Sequence, residues 1–400
     1  QVRNHAKGIC NANLPVPLIY DYLEGLFKME NLKFTCPCHF GLEGLLSNEI
    51  KRLGAENIVT TDGRVSFTGD YTTLIRANLS LRTAERVLIV LGEFKATTFD
   101  ELFEGVKALP FEKFIGKKDA FPVKGHSINS KLHSIPDCQS IIKKAAVDRL
   151  KDKYHIEWFE ETGALFQIQF SIHKDNVAIM IDSSGVGLHK RGYRRKSNIA
   201  PIKETLAAGI VDLARVRPNS TVCDPFCGSG TFLIEAAYRA LNIAPGIKRR
   251  FISQDWQFIP EELWQQERQR ALSLIRRDAK FKCYGYDIDG DTLELSMANA
   301  KKAGVASRIR VENRDIRDFT YNEDEMIVIC NPPYGERMLE IKEAEGIYST
   351  MGEVFEKTSE RNAYIISPHE NFENIFGKKA DRRRKLYNGM IKCQLYMYFK

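Results

Sequence analysis

With 400 residues, 43% of them hydrophobic and 28% charged, the chain has the make-up of a folded protein of two or three domains. The formal net charge of +7 favours a polyanionic partner without demanding one. No apolar run is long enough to span a bilayer, and nine scattered cysteines read as reduced thiols rather than a disulfide framework.

Residues 1–28 differ in character from the remainder of the chain, with Pro15 and Pro17 breaking a short apolar run and no basic-then-apolar leader. They are expected to be an upstream extension or an expression-derived segment, and the protein to be cytoplasmic. Residues 29–93 suggest a ferredoxin-like β-α-β-β-α-β unit. Leu42, Leu45, Leu46, Ile50 and Leu53 form a helical stripe stopped by Gly54, and residues 64–68 alternate as a strand. A second helix over 71–81 and a buried strand over 86–91 complete the unit. Cys36-Pro37-Cys38-His39 has no second ligand pair at finger-like spacing, so no metal site is expected.

Residues 94–190 form a second α+β unit, with a strand over 121–124, an amphipathic helix over 139–151, and a hairpin of 165–172 with 176–182. From 191 to 400 strands and helices alternate, with strands expected at 221–224, 282–287, 309–312, 326–330, 363–367 and 394–399. That order predicts an α/β, doubly wound sheet with its ligands beyond the carboxyl ends of the strands. Residues 242–280, with Trp256 and Trp264, interrupt the alternation and read only as extra cover for the sheet or the cleft. The densest basic clusters are 190–196 and 378–385, and each alone reads as solvated surface.

Two strand ends carry chemistry. Asp224-Pro225-Phe226-Cys227-Gly228-Ser229-Gly230-Thr231 turns a strand into a helix with backbone open to a ligand. Asp224 would repel a pyrophosphate but accept from an ammonium, Leu233 stands where a dinucleotide loop has its third glycine, and no Lys-Ser or Lys-Thr comes after the glycines. These details favour S-adenosylmethionine. Asp287 at the next strand tip is expected to accept both ribose hydroxyls, and Ile288 to pack on adenine. Asp315, with Ile316 next to it, is expected to take the adenine amino group; the alternative is that such acids only cap helices.

Asn331-Pro332-Pro333-Tyr334 closes a later strand. Methylating an exocyclic amine requires two acceptors to orient its N–H bonds, here the Asn331 side-chain oxygen and the Pro332 carbonyl. The two prolines fix the backbone, and Tyr334 offers a face for an unstacked base. Either a guanine 2-amino or an adenine 6-amino group would fit, and catalysis would rest on proximity and orientation.

With these residues the chain resembles class I RNA methyltransferases bearing an N-terminal THUMP domain, especially those that make N2-methylguanosine in bacterial large-subunit ribosomal RNA. The resemblance runs from about Leu32 to the end. It covers Thr35-Cys36-Pro37-Cys38-His39-Phe40-Gly41-Leu42-Glu43, Gly125-His126-Ser127-Ile128-Asn129-Ser130-Lys131-Leu132, His189-Lys190-Arg191-Gly192-Tyr193-Arg194 and the two site motifs. It implies a THUMP-like RNA-binding unit at 94–190, a methyltransferase domain at 191–400, and 23S ribosomal RNA as partner, transfer RNA remaining open. It also implies that the second methylase domain of larger relatives is missing after Lys400. RNA contacts are expected at Lys124, Lys131, Lys143 and Lys144, and at the domain junction from Lys190, Arg191, Arg194 and Arg195. A noncatalytic RNA-binding or ribosome-assembly factor is the alternative from another class.

Overall fold

The computed structural model describes residues 31–194, 202–320, 326–335, 338–356 and 362–399. Residues 1–28 and Arg195 lie outside these described residues. The N-terminal half carries strands β1 (Leu32–Pro37), β2 (Glu56–Thr61), β3 (Arg64–Gly69) and β4 (Leu88–Lys95), with helices α1 (Glu43–Arg52) and α2 (Tyr71–Ser80). It continues through α3 (Phe99–Lys107), β5 (Val123–Ile128), α4 (Ile135–Tyr154), β6 (Ile168–His173) and β7 (Asn176–Asp182). Local chemistry starts the helices where they start. Asp70 accepts the Thr73 N–H at 2.7 Å, and Thr98 and Glu101 form a reciprocal capping box on α3. The β6–β7 turn places Lys174 and Asp175 at φ of 51° and 61°, the left-handed pair that a tight hairpin needs.

The first two units do not keep separate sheets. β4 pairs antiparallel with β7, and β6 and β5 come next, giving one sheet in the order β2-β3-β1-β4-β7-β6-β5. The ferredoxin-like strands and the strands after them are thus one continuous platform.

The second sheet comes after α5 (Glu204–Leu213). Its elements are β8 (Thr221–Asp224), α6 (Thr231–Ala240), α7 (Glu261–Ser273), β9 (Lys282–Asp287), α8 (Gly290–Ala303) and β10 (Ile309–Asn313). β11 (Met326–Cys330), α9 (Met338–Glu356), β12 (Ala363–Ser367), α10 (Phe372–Phe376), β13 (Arg382–Asn388) and β14 (Ile391–Tyr398) complete it. The order is β10-β9-β8-β11-β12-β14-β13, parallel through β12 and antiparallel at β14 and β13. The winding reverses at β8, so a crevice opens beyond its carboxyl end between β9 and β11. Apolar clusters fill both faces of the sheet: Leu206, Phe232, Leu233 and Leu395 on one, Met326, Val328, Tyr348 and Phe372 on the other.

Residues 242–280 cover the second sheet at their two ends, where Ile243 and Ala279 join its core, and do more between them. Phe251, Trp256, Ile259 and Trp264 are buried in the core of the first sheet. The Trp256 ring stacks on Phe166 at 4.8 Å, and its indole N–H donates to the Leu165 carbonyl at 3.0 Å. Trp264 stacks on Phe251. The segment therefore reaches back from the α/β domain and ties it to the N-terminal platform. Removing a buried indole forfeits both apolar burial and close packing, so Trp256→Ala is expected to cost about 3–5 kcal/mol, read as a lowered urea midpoint.

Candidate active site

Asp224 ends β8 and is 1% exposed. Its Oδ1 accepts the Phe226 N–H at 3.0 Å, which does little against the loss of water. Burial, with the Asp287 carboxylate adding repulsion, pushes its pKa well above the usual carboxylate range. A carboxylate in this position becomes a stable anion only when a cation comes to it.

The loop after it spends its backbone donors internally. The Cys227 N–H donates to the Tyr286 carbonyl at 2.9 Å and the Gly228 N–H to Asp287 Oδ2 at 2.9 Å. Gly230 sits at φ +78°, and a Cβ there would lie 2.3 Å from Ser296 Oγ, so only glycine fits. Pro225 and Ser229 are buried, and the Ser229 carbonyl accepts from Asn299 at 3.0 Å. Leu233 has a physical counterpart in Gly285 on β9, where a Cβ would come within 2.5 Å of the leucine side chain. A dinucleotide loop puts the glycine on the helix; here the strand supplies it and the helix keeps the leucine.

Asp287 is half-buried, with Oδ1 accepting the Asp289 N–H at 3.1 Å and Oδ2 the Gly228 N–H. Each oxygen keeps a lone pair for a hydroxyl. Ile288 beside it is 73% exposed, an apolar face at the mouth of the crevice. Asp315 differs. Both its oxygens pair with the Arg317 guanidinium, at 2.9 and 2.7 Å, and Oδ1 takes the Arg317 N–H as well. These bonds lower its pKa to about 2, so the capping alternative describes Asp315 well, with Ile316 buried behind it.

β11 lies beside β8 in parallel, so Asn331 emerges at the strand tip next to that of Asp224. The Tyr334 hydroxyl donates to Asn331 Oδ1. The Tyr334 ring, expected as an open platform for a base, is half-buried against the core on one face of the sheet. Burial raises its pKa, so the hydroxyl stays protonated and able to donate. Pro332 is buried and Pro333 exposed. The Pro333 carbonyl accepts from the Tyr348 hydroxyl at 2.7 Å, and Ser367 lies 3.5 Å from that hydroxyl. Sequence reasoning missed Tyr348, Ser367, Ser296 and Asn299. Each sits inside an ordinary helix or strand pattern, and only the folded register brings it beside the two strand-end motifs.

One of the expected RNA contacts, Arg191, is corrected by its burial, and two others, Arg194 and Lys143, have partners within the protein. Arg191 is buried, donates to the Leu188 and Arg82 carbonyls, and pairs with Glu235 at 3.4 Å. Arg194 donates to Thr231 Oγ1 at 2.7 Å and pairs with Glu204, bracing the start of α6. Lys143 is held by Glu161 and the Phe121 carbonyl, with its ammonium 3.5 Å from the Phe121 ring centroid. In each case the protein itself supplies the partners that a phosphate was expected to supply. Lys124, Lys131, Lys144 and Lys190 are exposed. Cys36 and Cys38 are buried thiols, the pKa of the latter pushed up to about 12 chiefly by burial, while His39 turns to Glu85 and Thr205.

Comparison with known proteins agrees with this geometry. A family model described as an RMKL-like methyltransferase domain matches residues 191–397, an RlmL ferredoxin-like domain matches 33–88, and a THUMP domain matches 96–182. The Bacillus subtilis protein named "Putative RNA methyltransferase YpsC" is 44% identical over 93% of this chain and 96% of its own length. The ribosomal RNA large subunit methyltransferase K/L of Shewanella frigidimarina is 32% identical over 90% of this chain, which spans about half (51%) of that relative. The crystal structure of SMU.472, solved in complex with SAH, superposes with a TM-score of 0.87 at 39% identity, covering 93% of this chain and 99% of that one.

The buried Asp224 has a consequence for stability. The folded chain keeps this proton to higher pH than the unfolded chain does. The group therefore costs no stability below the ordinary carboxylate pKa of about 4, and a growing amount as pH rises from there toward its raised folded value. Asp224→Asn is expected to raise the melting temperature of the ligand-free protein by about 2–4 °C at pH 7–8, with the gain vanishing near pH 4. Thermal melts across that range check it.

Proposed function

We propose, since the chain belongs to the RMKL-like methyltransferase family, that it transfers a methyl group from S-adenosylmethionine to the exocyclic 2-amino group of a guanine in 23S ribosomal RNA. The observation that carries the reading is the meeting of two strand tips. Asp224 ends β8, Asn331 comes directly after β11, and the two strands are neighbours. A cofactor held at the first tip and an amine held at the second would share one crevice.

The residues fit the cofactor. Asp224 is the buried anion that its ammonium would satisfy, Asp287 keeps acceptors for the ribose hydroxyls, and exposed Ile288 offers an apolar surface to adenine. When bound, S-adenosylmethionine supplies an electrophilic methyl on a sulfonium. The protein then has to present an amine whose lone pair is tied up in a ring. Asn331 Oδ1 accepts one amine hydrogen while also accepting from Tyr334, since a carbonyl oxygen has two lone pairs. The Pro332 carbonyl takes the other hydrogen. Tyr334 thereby acts through Asn331 as a positioning residue, and Tyr348 does the same for the Pro333 backbone. No general base is needed, because the methylated amine sheds its proton afterwards.

The N-terminal platform would grip structured RNA, with Lys124, Lys131, Lys144 and Lys190 exposed toward phosphates. The target base must leave its stack to reach Asn331. A ribosomal RNA substrate makes the cytoplasm the place of action, and among the described residues no helix is long and apolar enough to cross a membrane.

Asn331→Ala is expected to keep S-adenosylmethionine affinity within about threefold by calorimetry while lowering turnover about a hundredfold or more, since only orientation is lost. Mass spectrometry of nucleosides from methylated RNA should show N2-methylguanosine. N6-methyladenosine would overturn the guanine assignment, a mark in transfer RNA the ribosomal one, and no transfer at all the enzymatic one.

A further inference from the structure

The hairpin of β13 and β14 takes no part in the methyl transfer itself, yet it stands at the reacting end of the sheet. β14 runs antiparallel to β12, with Gln394 opposite Ser367, the last residue of β12. Ile391, Lys392 and Cys393 therefore continue past that strand end, on the side where Asp224 and Asn331 lie. The overhang is roughly 10 Å at about 3.3 Å per residue. Asn388 pairs with Ile391, and Gly389 at φ +63° with Met390 after it closes a two-residue loop. Met390, at the tip, is 97% exposed.

The base of this projection is bound to the target-base motif. Asn388 and Cys393 both contact the Tyr334 hydroxyl, which donates to Asn331. The strand is also braced against the N-terminal platform. Arg384 donates to the Gly41 carbonyl at 2.6 Å, and the Tyr387 ring lies 6.2 Å from that of Phe40. Arg382, Lys385 and Lys392 are exposed and form no ion pair among the described residues. A lone exposed methionine carries no signal, and basic residues on an edge strand also deter strand-to-strand association. Deterrence, however, needs neither an apolar tip nor a brace beside an amine-orienting motif.

We propose that this hairpin opens the RNA: Lys385 and Lys392, on one face of the hairpin near its tip, track the phosphates, and Met390 enters the base stack to fill the place of the nucleotide drawn into the crevice. The proposal rests on the reading that this site methylates a base in RNA. An unbranched, polarizable side chain can replace lost stacking without a fixed shape, and apolar wedges at base steps stabilise unstacked nucleic acid. Met390 acts on the stack and not on the reacting atoms, so it is a positioning residue.

The test is single-turnover methyl transfer from radiolabelled S-adenosylmethionine to an unmodified 23S ribosomal RNA transcript, with cofactor affinity and melting temperature measured alongside. Met390→Ser is expected to slow transfer roughly tenfold or more, because unstacking goes uncompensated, while affinity for cofactor and melting temperature stay unchanged. Met390→Leu keeps the apolar bulk and stays within about threefold of the unaltered chain. Lys385→Glu with Lys392→Glu weakens RNA binding and flattens its salt dependence. Full-speed transfer by Met390→Ser, or equal slowing in Met390→Leu, overturns the wedge. Unchanged RNA affinity after charge reversal overturns the phosphate track. An unaltered chain that methylates no RNA removes the parent reading and the wedge together, which differs from an active chain indifferent to Met390.

Discussion

A carboxylate sealed at the end of the central strand, with a second carboxylate beside it, governs what the crevice will accept. Asp224 has lost its water and gained one backbone N–H, and Asp287 raises the cost of ionising it further. The loop between them could have turned its N–H groups outward, as phosphate-binding loops do. Instead Cys227 and Gly228 give theirs to Tyr286 and Asp287. Those two N–H groups are therefore taken and do not face a ligand. On the proposed reading, a cofactor that brings an ammonium and free hydroxyls would meet the acceptors of Asp224 and Asp287 in the crevice.

The same loop is fastened to the rest of the molecule by charged side chains that read, in sequence, as RNA-binding. Arg191 and Tyr193, leading out of the N-terminal platform, both reach Glu235 on α6, and Arg194 reaches Thr231 at the helix start. Nearby, Glu85 gathers His39, His189 and Thr205 from three separate segments. Buried ionic contacts contribute little net stability, but they penalise misalignment heavily, because a stranded charge has no other partner. The Trp256 segment adds an apolar tie between the same two bodies. RNA held by the platform would thus meet a crevice in a set position.

Much of this was legible from residue pattern. β11 and β12 are continuous apolar runs, and Asp224, Asp287 and Asn331 stand at or directly after the carboxyl ends of parallel strands, as the alternation of strands and helices predicts. Partner choice was not legible. Nothing local in 88–95 says that it pairs with 176–182, so two units appeared where one sheet exists. Charge also misleads in both directions. Arg191 looked like surface and is buried, since its partners come from residues 82, 188 and 235. β13 looked like a solvated cluster because an edge strand with basic residues on both faces shows no apolar alternation until Leu386. Asp315, read as a ligand acceptor, also pairs with Arg317 two residues on, a contact within reach of sequence alone.

On the proposed reading, transfer to an amine without a base depends on how narrowly the protein holds the acceptors, and the contacts around the motif hold them indirectly. Asn331 is fixed by Tyr334, and Tyr334 by Cys393 on β14. The Pro333 carbonyl is fixed by Tyr348 on α9, whose hydroxyl lies beside Ser367 at the end of β12. The orienting atoms thus belong to one short motif, while their rigidity comes from a helix and two strands later in the chain. An error of about 1 Å in such an arrangement can cost two orders of magnitude in rate. On that reading a half-buried tyrosine serves better as a strut than as a stacking surface: a hydroxyl bonded to Asn331 would keep the acceptor aimed before any base arrives, and the handling of the base would pass to parts of the fold that stand in solvent.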